Sequence, residues 1–503
     1  MPQFTQGGVN PAAQGVPDLF VQVNPPPAAV LPGAPSNIIG VVGTATWGPV
    51  GAPVVFGDLA GCANAFGYMQ ARKYDLATQV QTAAFQGANA FAGVRVTDGT
   101  DVAALVVILV NCLTLTAKYT GSRGNSLTAT IAAGTANATS KITLSMPGMQ
   151  PETFDNIAGA ANTLWVNMAA AINNGQNNFR GASQLVTASA GAGVTAPALT
   201  TYTFASGTDG ATTITSTVLI GVDTVPRTGM YALRSTGLAL LILADADTST
   251  SWPTQNAFAK QELCEPIACS PAGDTIANFG TVLNTAGVDD PWIKVLLGDW
   301  PYFADGVNNV VRIVSPQGFI AGAKAVAGPH KSVLNRPLYG IVGTQKTLAN
   351  QTYSNAELQL LASFRGDVIT APSVGGAYFS SRFGRNASSD PGRHQDAWTT
   401  MTNYLARSLG LSLGPFVGRL ITPDEMREAA SAIGGFLENE KQAGRIAAYS
   451  VQVNAANNPF SATQIGIQKA TVTVTYFSVL EYFNIDLTAG QTVTPASAIP
   501  LAA

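Results

Sequence analysis

The hydrophobic pattern along the chain changes period several times, and each change marks an element. In "NIIGVVGTA" and "AFAGVRV" (90–96) apolar residues run on without alternation, which describes strands covered on both faces. "APVVFGDL" adds a short strand, and 74–87 has helical spacing. The continuous pattern returns in "GLALLILADAD" (237–247), "PWIKVLLGDW" (291–300) and "VNNVVRIVSP" (307–316), with helical material between them. Such strands alternating with helices predict a mixed α/β layer. The run "VAALVVILVNCL" (102–113) is too short to cross a bilayer and reads as another buried strand.

From 105 to 210 the character differs. "LTLTAKYTGSRGNSLTATIAAG" and "KITLSMPG" predict short strands separated by turns, a β-rich module. One helix interrupts it at 162–174, where Leu164, Met168 and Ile172 recur every fourth residue, and "FASGTDG" (204–210) closes it. The last block has the clearest local signals. Residues 393–409 are helical, with Trp398, Met401, Leu405 and Leu409 on one face. In the next helix Thr422 is the cap, Pro423 takes the first position, Glu425 completes a capping box and Gly444 stops it. Its apolar stripe is Met426, Ala429, Ala430, Ile433, Phe436 and Leu437, and strands follow at 446–453 and 469–486.

The expected architecture is therefore a multidomain α/β and α+β chain. A discontinuous mixed α/β core (37–104 and 211–392) carries an inserted β-rich domain (105–210), followed by a C-terminal α+β domain (393–486). Residues 1–36 include "NPPPAAVLPGAPSN"; prolines at that density favour an extended arm. Within it "DLFVQV" (18–23) alternates like a strand that has no local partner, and 487–503 reads as a second extended arm.

Composition narrows the function. At 503 residues the chain exceeds what one core supports, and its 46% hydrophobic content is ample for several. Only 11% of residues are charged, against roughly 25% in ordinary soluble domains. Low surface charge favours association. A net charge of −3 gives no basic footprint for nucleic acid and no polybasic membrane signal. The N-terminal stretch lacks the basic start and apolar core of a secretory signal. Cysteines at 62, 112, 264 and 269 form neither CxxC nor a dense framework, so buried free thiols in a reducing compartment are expected. With only His330 and His394 present, a histidine-rich metal site is excluded.

The segment "IGVVGTATWGP" (39–49) resembles the start of a nucleotide-binding turn, with glycines at 40, 43 and 48. A dinucleotide fingerprint would put the last glycine into a helix, whereas Pro49 keeps this chain extended. A Walker loop needs a lysine, and the first one is Lys73. Asp245 and Asp247 end a strand without a third ligand indicated, and His394 between Asp390 and Asp396 has no nucleophile elbow to serve. No catalytic, cofactor or metal residues are assigned.

Several motifs, in order, resemble the contractile bacteriophage (myovirus-type) tail sheath family. They are "GVVGTATWGP" continuing through "PVVFGDLAGCANAFG" (53–67), "LTAKYTGSRGNSLTATI" (115–131), "PETFDNI" (151–157), "SGTDG" (206–210) and "VSPQGFIAGAKAVAG…NRPLYGI" (314–341), followed by the capped helix and final strand. The resemblance implies a non-enzymatic subunit without cofactors that stacks as six-fold rings around a tail tube. Its partners would be further copies, the tube protein, and baseplate and tail terminator proteins, with no direct nucleic-acid contact and no membrane insertion. It would reside in the virion tail after assembly in the host cytoplasm. The family also implies that terminal arms add strands to neighbours, here Leu19, Phe20, Val21 and Val23, and Phe483, Ile485 and Leu487. The polar face of the capped helix, with Glu425, Arg427, Glu428 and Lys441, would meet the tube. Two other readings stand beside it: the sheath of a phage-tail-like injection particle, and a nucleotide- or metal-dependent α/β enzyme.

Overall fold

The computed structural model describes residues 3–5, 20–22, 32–176, 180–487 and 489. Strands β1 (Gln3–Thr5) and β2 (Phe20–Gln22) come first, then β3 (Ile39–Gly43), β4 (Pro53–Phe56), α1 (Leu59–Phe66), α2 (Leu76–Ala84) and β5 (Phe91–Arg95). A β-rich block follows: β6 (Ala103–Leu109), β7 (Leu113–Thr120), β8 (Thr128–Ala133), β9 (Thr139–Ser145), β10 (Glu152–Ala158), α3 (Asn162–Asn174), β11 (Val186–Ala190) and β12 (Thr201–Thr203). Next are α4 (Ser216–Ile220), β13 (Leu240–Leu243), α5 (Trp252–Glu262), β14 (Glu265–Cys269), α6 (Ile276–Thr285), β15 (Lys294–Leu296), β16 (Pro301–Asp305) and β17 (Val310–Ile313). After them come α7 (Gln317–Ala327), β18 (Ile341–Thr344), α8 (Gln345–Leu348), α9 (Asn355–Ser363), β19 (Ile369–Thr370) and β20 (Ser380–Ser381). The chain continues through α10 (Asp396–Ser412), α11 (Pro423–Gln442), β21 (Ala448–Gln452) and β22 (Thr471–Thr475).

The central sheet has the order β15-β14-β13-β3-β5-β4, so strands from two distant parts of the chain share it. All its pairings are parallel except β4 with β5. Successive side chains of a strand point to opposite faces. Ile39, Val41, Leu240 and Ile242 accordingly enter one core with α2 and α7, through Val80, Phe319 and Ile320. Val42, Leu241 and Leu243 enter another with Leu219, Met230 and Phe258. Coverage on both faces is why the apolar runs are unbroken. Helix α7 approaches α2 closely because Gly318 and Gly322 face it: a Cβ at 322 would lie 2.5 Å from the Ala83 carbonyl oxygen.

The opening glycines serve the same kind of contact. A Cβ on Gly43 would sit 2.8 Å from the Tyr74 carbonyl oxygen. Gly48 has φ +93°, and a Cβ there would meet the Ala65 carbonyl oxygen at 2.2 Å. The corner they make sends Trp47 into the core of the β-rich block, edge-on to Tyr119 with ring centroids 5.3 Å apart. That block packs a four-stranded sheet (β10-β9-β8-β12) and a three-stranded sheet (β11-β7-β6) around Leu115, Ile131, Ile142, Phe154, Trp165 and Ile172. Its entry and exit run side by side, bridged at Val102–Thr208 and Leu105–Ala205. Buried Arg95 closes the junction, donating to the carbonyl oxygens of Gly48 (3.0 Å), Thr120 (2.6 Å) and Asp209 (3.2 Å).

Four expectations change. The run 102–113 is not a strand buried on both faces: β6 is the edge of its sheet, and Leu105 and Val107 are exposed. The run 307–316 is not in the central sheet either. It supplies β17 to a separate antiparallel sheet, β17-β16-β18, with Val310 and Val311 exposed. In both cases apolar residues occupy a face that nothing among the described residues covers. The helix expected over 393–409 begins only at Asp396, because the turn at Asp390-Pro391-Gly392 leaves Arg393 and His394 outside it. The strand expected over 469–486 stops at Thr475, where its pairing partner among the described residues, β21, has run out.

Candidate assembly surfaces

The C-terminal domain is built on two helices and a hairpin. Thr422 accepts a hydrogen bond from the Glu425 amide and Pro423 opens the first turn, as the sequence predicts. The capping box is not completed, since the Glu425 carboxylate does not bond back to Thr422. Met401, Tyr404, Leu405, Ile433, Phe436 and Leu437 of α10 and α11 form a core with Ile446 and Val453. Met426 and Ala430, expected in the buried stripe, are half-buried; Ala432 and Glu440 are buried instead. Glu440 accepts from the Tyr404 hydroxyl (2.9 Å) and pairs with Arg445 (3.0 Å).

Among the described residues, strands β21 and β22 pair only with each other, setting Tyr449 opposite Val474 and Val451 opposite Val472 on the helix side. Tyr476 is half-buried, edge-on to Trp398 and bonded to Thr402 (3.1 Å). Beyond it Phe477, Leu480, Tyr482, Phe483, Ile485 and Leu487 are all exposed. Glu481 ties this segment down: it binds Arg385 at 2.6 Å and the His394 Nε2 at 2.8 Å, and accepts from Gln395 at 3.0 Å. Burial works to raise the Glu481 carboxyl, but those three donors hold it below the usual range. The partner of His394 is thus Glu481 rather than Asp390 or Asp396.

The expected site residues fall in different places. Phe20 and Val21 lie in β2, which pairs in parallel with β1, so residues 20–22 have a local partner; Leu19 and Val23 lie outside the described residues. Phe483, Ile485 and Leu487 are on the exposed segment. On α11, Arg427 pairs with Asp424, Glu428 with Arg419 (2.9 Å) and Lys441 with Glu438 (3.9 Å), all at the surface. Glu425 is not on that surface; only 9% of it is exposed, and its Oε2 has no hydrogen-bond partner among the described residues.

Asp245 and Asp247 are structural. Asp245 accepts from the Tyr74 amide (3.0 Å) and Gln79 (2.9 Å), and Asp247 pairs with Lys73 (2.8 Å). Among the described residues no cluster of His, Cys, Asp and Glu is placed to hold a metal, and no helix is long and apolar enough to cross a membrane. The four cysteines are free and buried.

Sequence reasoning missed the strongest electrostatic feature, a buried cluster where the central sheet meets α10. Lys294 lies 2.5 Å from Asp367 and 3.4 Å from Asp396; Lys324 lies 2.5 Å from Glu265 and 3.4 Å from Asp396. Burial raises the Glu265 carboxyl, while the two ammonium groups overcome burial at Asp396 and hold it low. The available signal was a lone lysine inside "PWIKVLLG", since a charge in a buried strand persists only when paired.

This arrangement of a split α/β core, β-rich block and two-helix C-terminal domain is the fold of contractile tail sheath proteins. The chain resembles the sheath tail protein of Desulfitobacterium hafniense with a TM-score of 0.59 at 16% identity, covering 91% of this chain and 100% of that one. It matches the sheath tail protein of Listeria innocua with a TM-score of 0.59 at 13% identity, over 88% and 95% of the two chains. The helical sheath of the anti-feeding prophage in its contracted state gives 0.55 at 12% identity, over 94% and 99%. No family model and no curated protein sequence matches the chain.

Proposed function

We propose that this chain is the structural subunit of a contractile phage tail sheath. Copies stack as six-fold rings around a tail tube, and the sleeve shortens to drive the tube through the host envelope during genome delivery. The observation that carries the reading is the fold likeness, which runs through nearly the whole length of several sheath proteins. The two-stranded sheet with open edges, followed by an exposed apolar segment, supports it, because an unpaired edge accepts added strands. Each added backbone hydrogen bond contributes about 1 kcal/mol net, so one exchanged strand is weak and many in a lattice are strong. In this reading the exchanged strands come from the 1–36 arm, through Leu19, Phe20, Val21 and Val23, and from the segment at 483–494, through Phe483, Ile485 and Leu487. Arg427, Glu428 and Lys441 of α11 face the tube protein. Baseplate and tail terminator proteins cap the polymer, which forms in the host cytoplasm and functions in the virion tail. The chemistry asked of the subunit is association and rearrangement, not catalysis.

Electron microscopy of the purified protein tests this directly: tubular polymers are expected, and compact particles at high concentration would overturn it. Removing residues 1–30 should leave soluble monomer; long sheaths from that variant would remove the arm from the mechanism. A second reading, the sheath of an injection particle, is favoured by the likeness to the anti-feeding prophage sheath and to an extracellular contractile injection system sheath, the latter with a TM-score of 0.54. Particles purified from the producing cell distinguish the two by the presence or absence of a genome-filled head.

A further inference from the structure

Helix α11 spans 20 residues, about 30 Å at roughly 1.5 Å per residue, and the surfaces at its two ends differ in charge and shape. At its N-terminal end a cup of about 280 Å³ is lined by Leu413, Phe416, Ile421, Glu425, Ala429 and Ile433. Val417 of its lining is 87% exposed, and Leu420 (84%), Ile465 and Ile467, each next in sequence to a lining residue, are exposed as well. Inside, the enclosed Oε2 of Glu425 receives no hydrogen bond. The cup's other charge is already used, for Arg419 pairs with Glu428 and stacks on Phe416 at 4.6 Å. A largely buried carboxyl with one oxygen lacking a donor, set among apolar walls, favours a cation or N–H brought to the mouth of the cup.

At the C-terminal end of α11 a groove of about 380 Å³ runs along Trp398, Met401, Gly444, Arg445, Tyr476 and Phe477, with His330 on its wall. Its next residue, Lys331, is exposed and makes no ion pair among the described residues. Arg445 is paired with Glu440, and Arg336, which also has no ion pair among the described residues, is half-buried with its Nε donating to the Ser332 carbonyl oxygen, so Lys331 is the exposed unpaired cation of the group. The local field is positive enough that, after burial, the charges of Lys331 and Arg445 hold the His330 ring below its usual pKa.

We infer that these ends mate between copies of this chain: Lys331 of one copy enters the Glu425 cup of the next, while Val417 and Leu420 of that copy bed against the Trp398–Tyr476 groove. Opposite charge and matching apolar surface at opposite ends of one helix make a head-to-tail contact, which closes into a ring or propagates as a helix. The inference rests on the self-assembly reading above and adds a contact independent of strand exchange.

The test uses the full-length chain, an equal mixture of unlabelled and nitrogen-15-labelled protein, and a carbodiimide that joins a lysine to a carboxylate in contact. The expected result is a Lys331–Glu425 link in isotopically mixed peptides. Lys331→Glu and Glu425→Lys each should lower inter-copy linking and polymer yield at least about tenfold, and the double exchange should restore polymer yield. Leu420→Ser, at a surface position that cannot unfold the domain, should weaken the link as well. Polymers with other mixed links but none between 331 and 425 would overturn the inference and leave the sheath reading standing. The link in dimers without any tubular polymer would support the contact and overturn the sheath reading. Neither link nor polymer would overturn both.

Discussion

The central sheet and the C-terminal hairpin are both β-structure made from apolar strands, yet they handle their surfaces in opposite ways. The central sheet has six strands and buried layers on both faces. Among the described residues the hairpin has two strands, one covered face, two open edges and a run of exposed aromatic and aliphatic residues beyond it. A lone two-stranded sheet is marginal in water, and this one persists because α10 and α11 pack against it. On the proposed strand exchange, stability and association belong to separate parts of one chain. Changes in the core should alter unfolding and spare assembly; changes in the hairpin region should do the reverse.

The largest effect should come from the cluster that joins the two regions. Lys294→Met leaves Asp367, Asp396 and Glu265 facing a single ammonium group. Breaking a buried ion pair by removing one partner costs about 3–5 kcal/mol. Urea unfolding should show a loss of that order. Asp396→Asn should cost far less, because it leaves two lysines matched by two carboxylates. Equal losses from the two variants would mean that packing, not charge balance, governs the joint.

A smaller effect, confined to the core, concerns the cap of α2. Burial pushes the Asp75 carboxyl up to about 6, although it accepts from the Thr78 amide at 2.9 Å and from the Thr78 hydroxyl at 2.7 Å. The folded state therefore holds a proton that the unfolded chain releases near pH 4. Through this group, stability is greatest below about pH 4, falls as pH rises to about 6, and is level above it. Two units correspond to roughly 2–3 kcal/mol. Asp75→Asn should flatten that part of the stability-against-pH curve, and an unchanged slope would show that Asp75 does not hold its proton.

On the hairpin side, Phe483→Ser with Ile485→Ser should leave the unfolding midpoint within about 0.5 kcal/mol of the parent, since both side chains are exposed. Polymer length in negative stain should nevertheless collapse. Normal sheaths from this variant would take the segment out of the assembly mechanism.

Much of the core was legible because its strands are buried on both faces, so "NIIGVVG" and "LALLIL" carry their environment in their composition. The α11 boundaries were legible because Thr422, Pro423 and Gly444 act locally. The surfaces were harder, and for one physical reason. An apolar run states that something covers it but not whether the cover belongs to the same chain. Val310 and Val311, Leu105 and Val107, and the residues after Thr475 all look like buried strand in sequence and are open in the single chain. The buried cluster was hidden for the converse reason, since Lys294, Lys324, Glu265, Asp367 and Asp396 are far apart in sequence and meet only through the fold.

The smallest stability change should come from the exposed face of α11. Its charges pair within the helix or with the adjoining loop: Arg427 with Asp424, Glu428 with Arg419, Lys441 with Glu438. Exposed pairs of this kind contribute about 0–1 kcal/mol, so Arg427→Glu with Glu428→Lys should scarcely move the unfolding curve. If the face meets a tube, the same exchange inverts the charge pattern presented to it, and electrostatic matching governs partner choice more than it governs folding. Co-assembly of sheath on purified tubes should then fall while self-polymerisation without tubes stays intact, and raised salt should narrow the gap because the charges are at the surface. Co-assembly equal to the parent at low salt would identify this face as solvent-facing and leave the hairpin segment and the ends of α11 as the surfaces that organise the assembly.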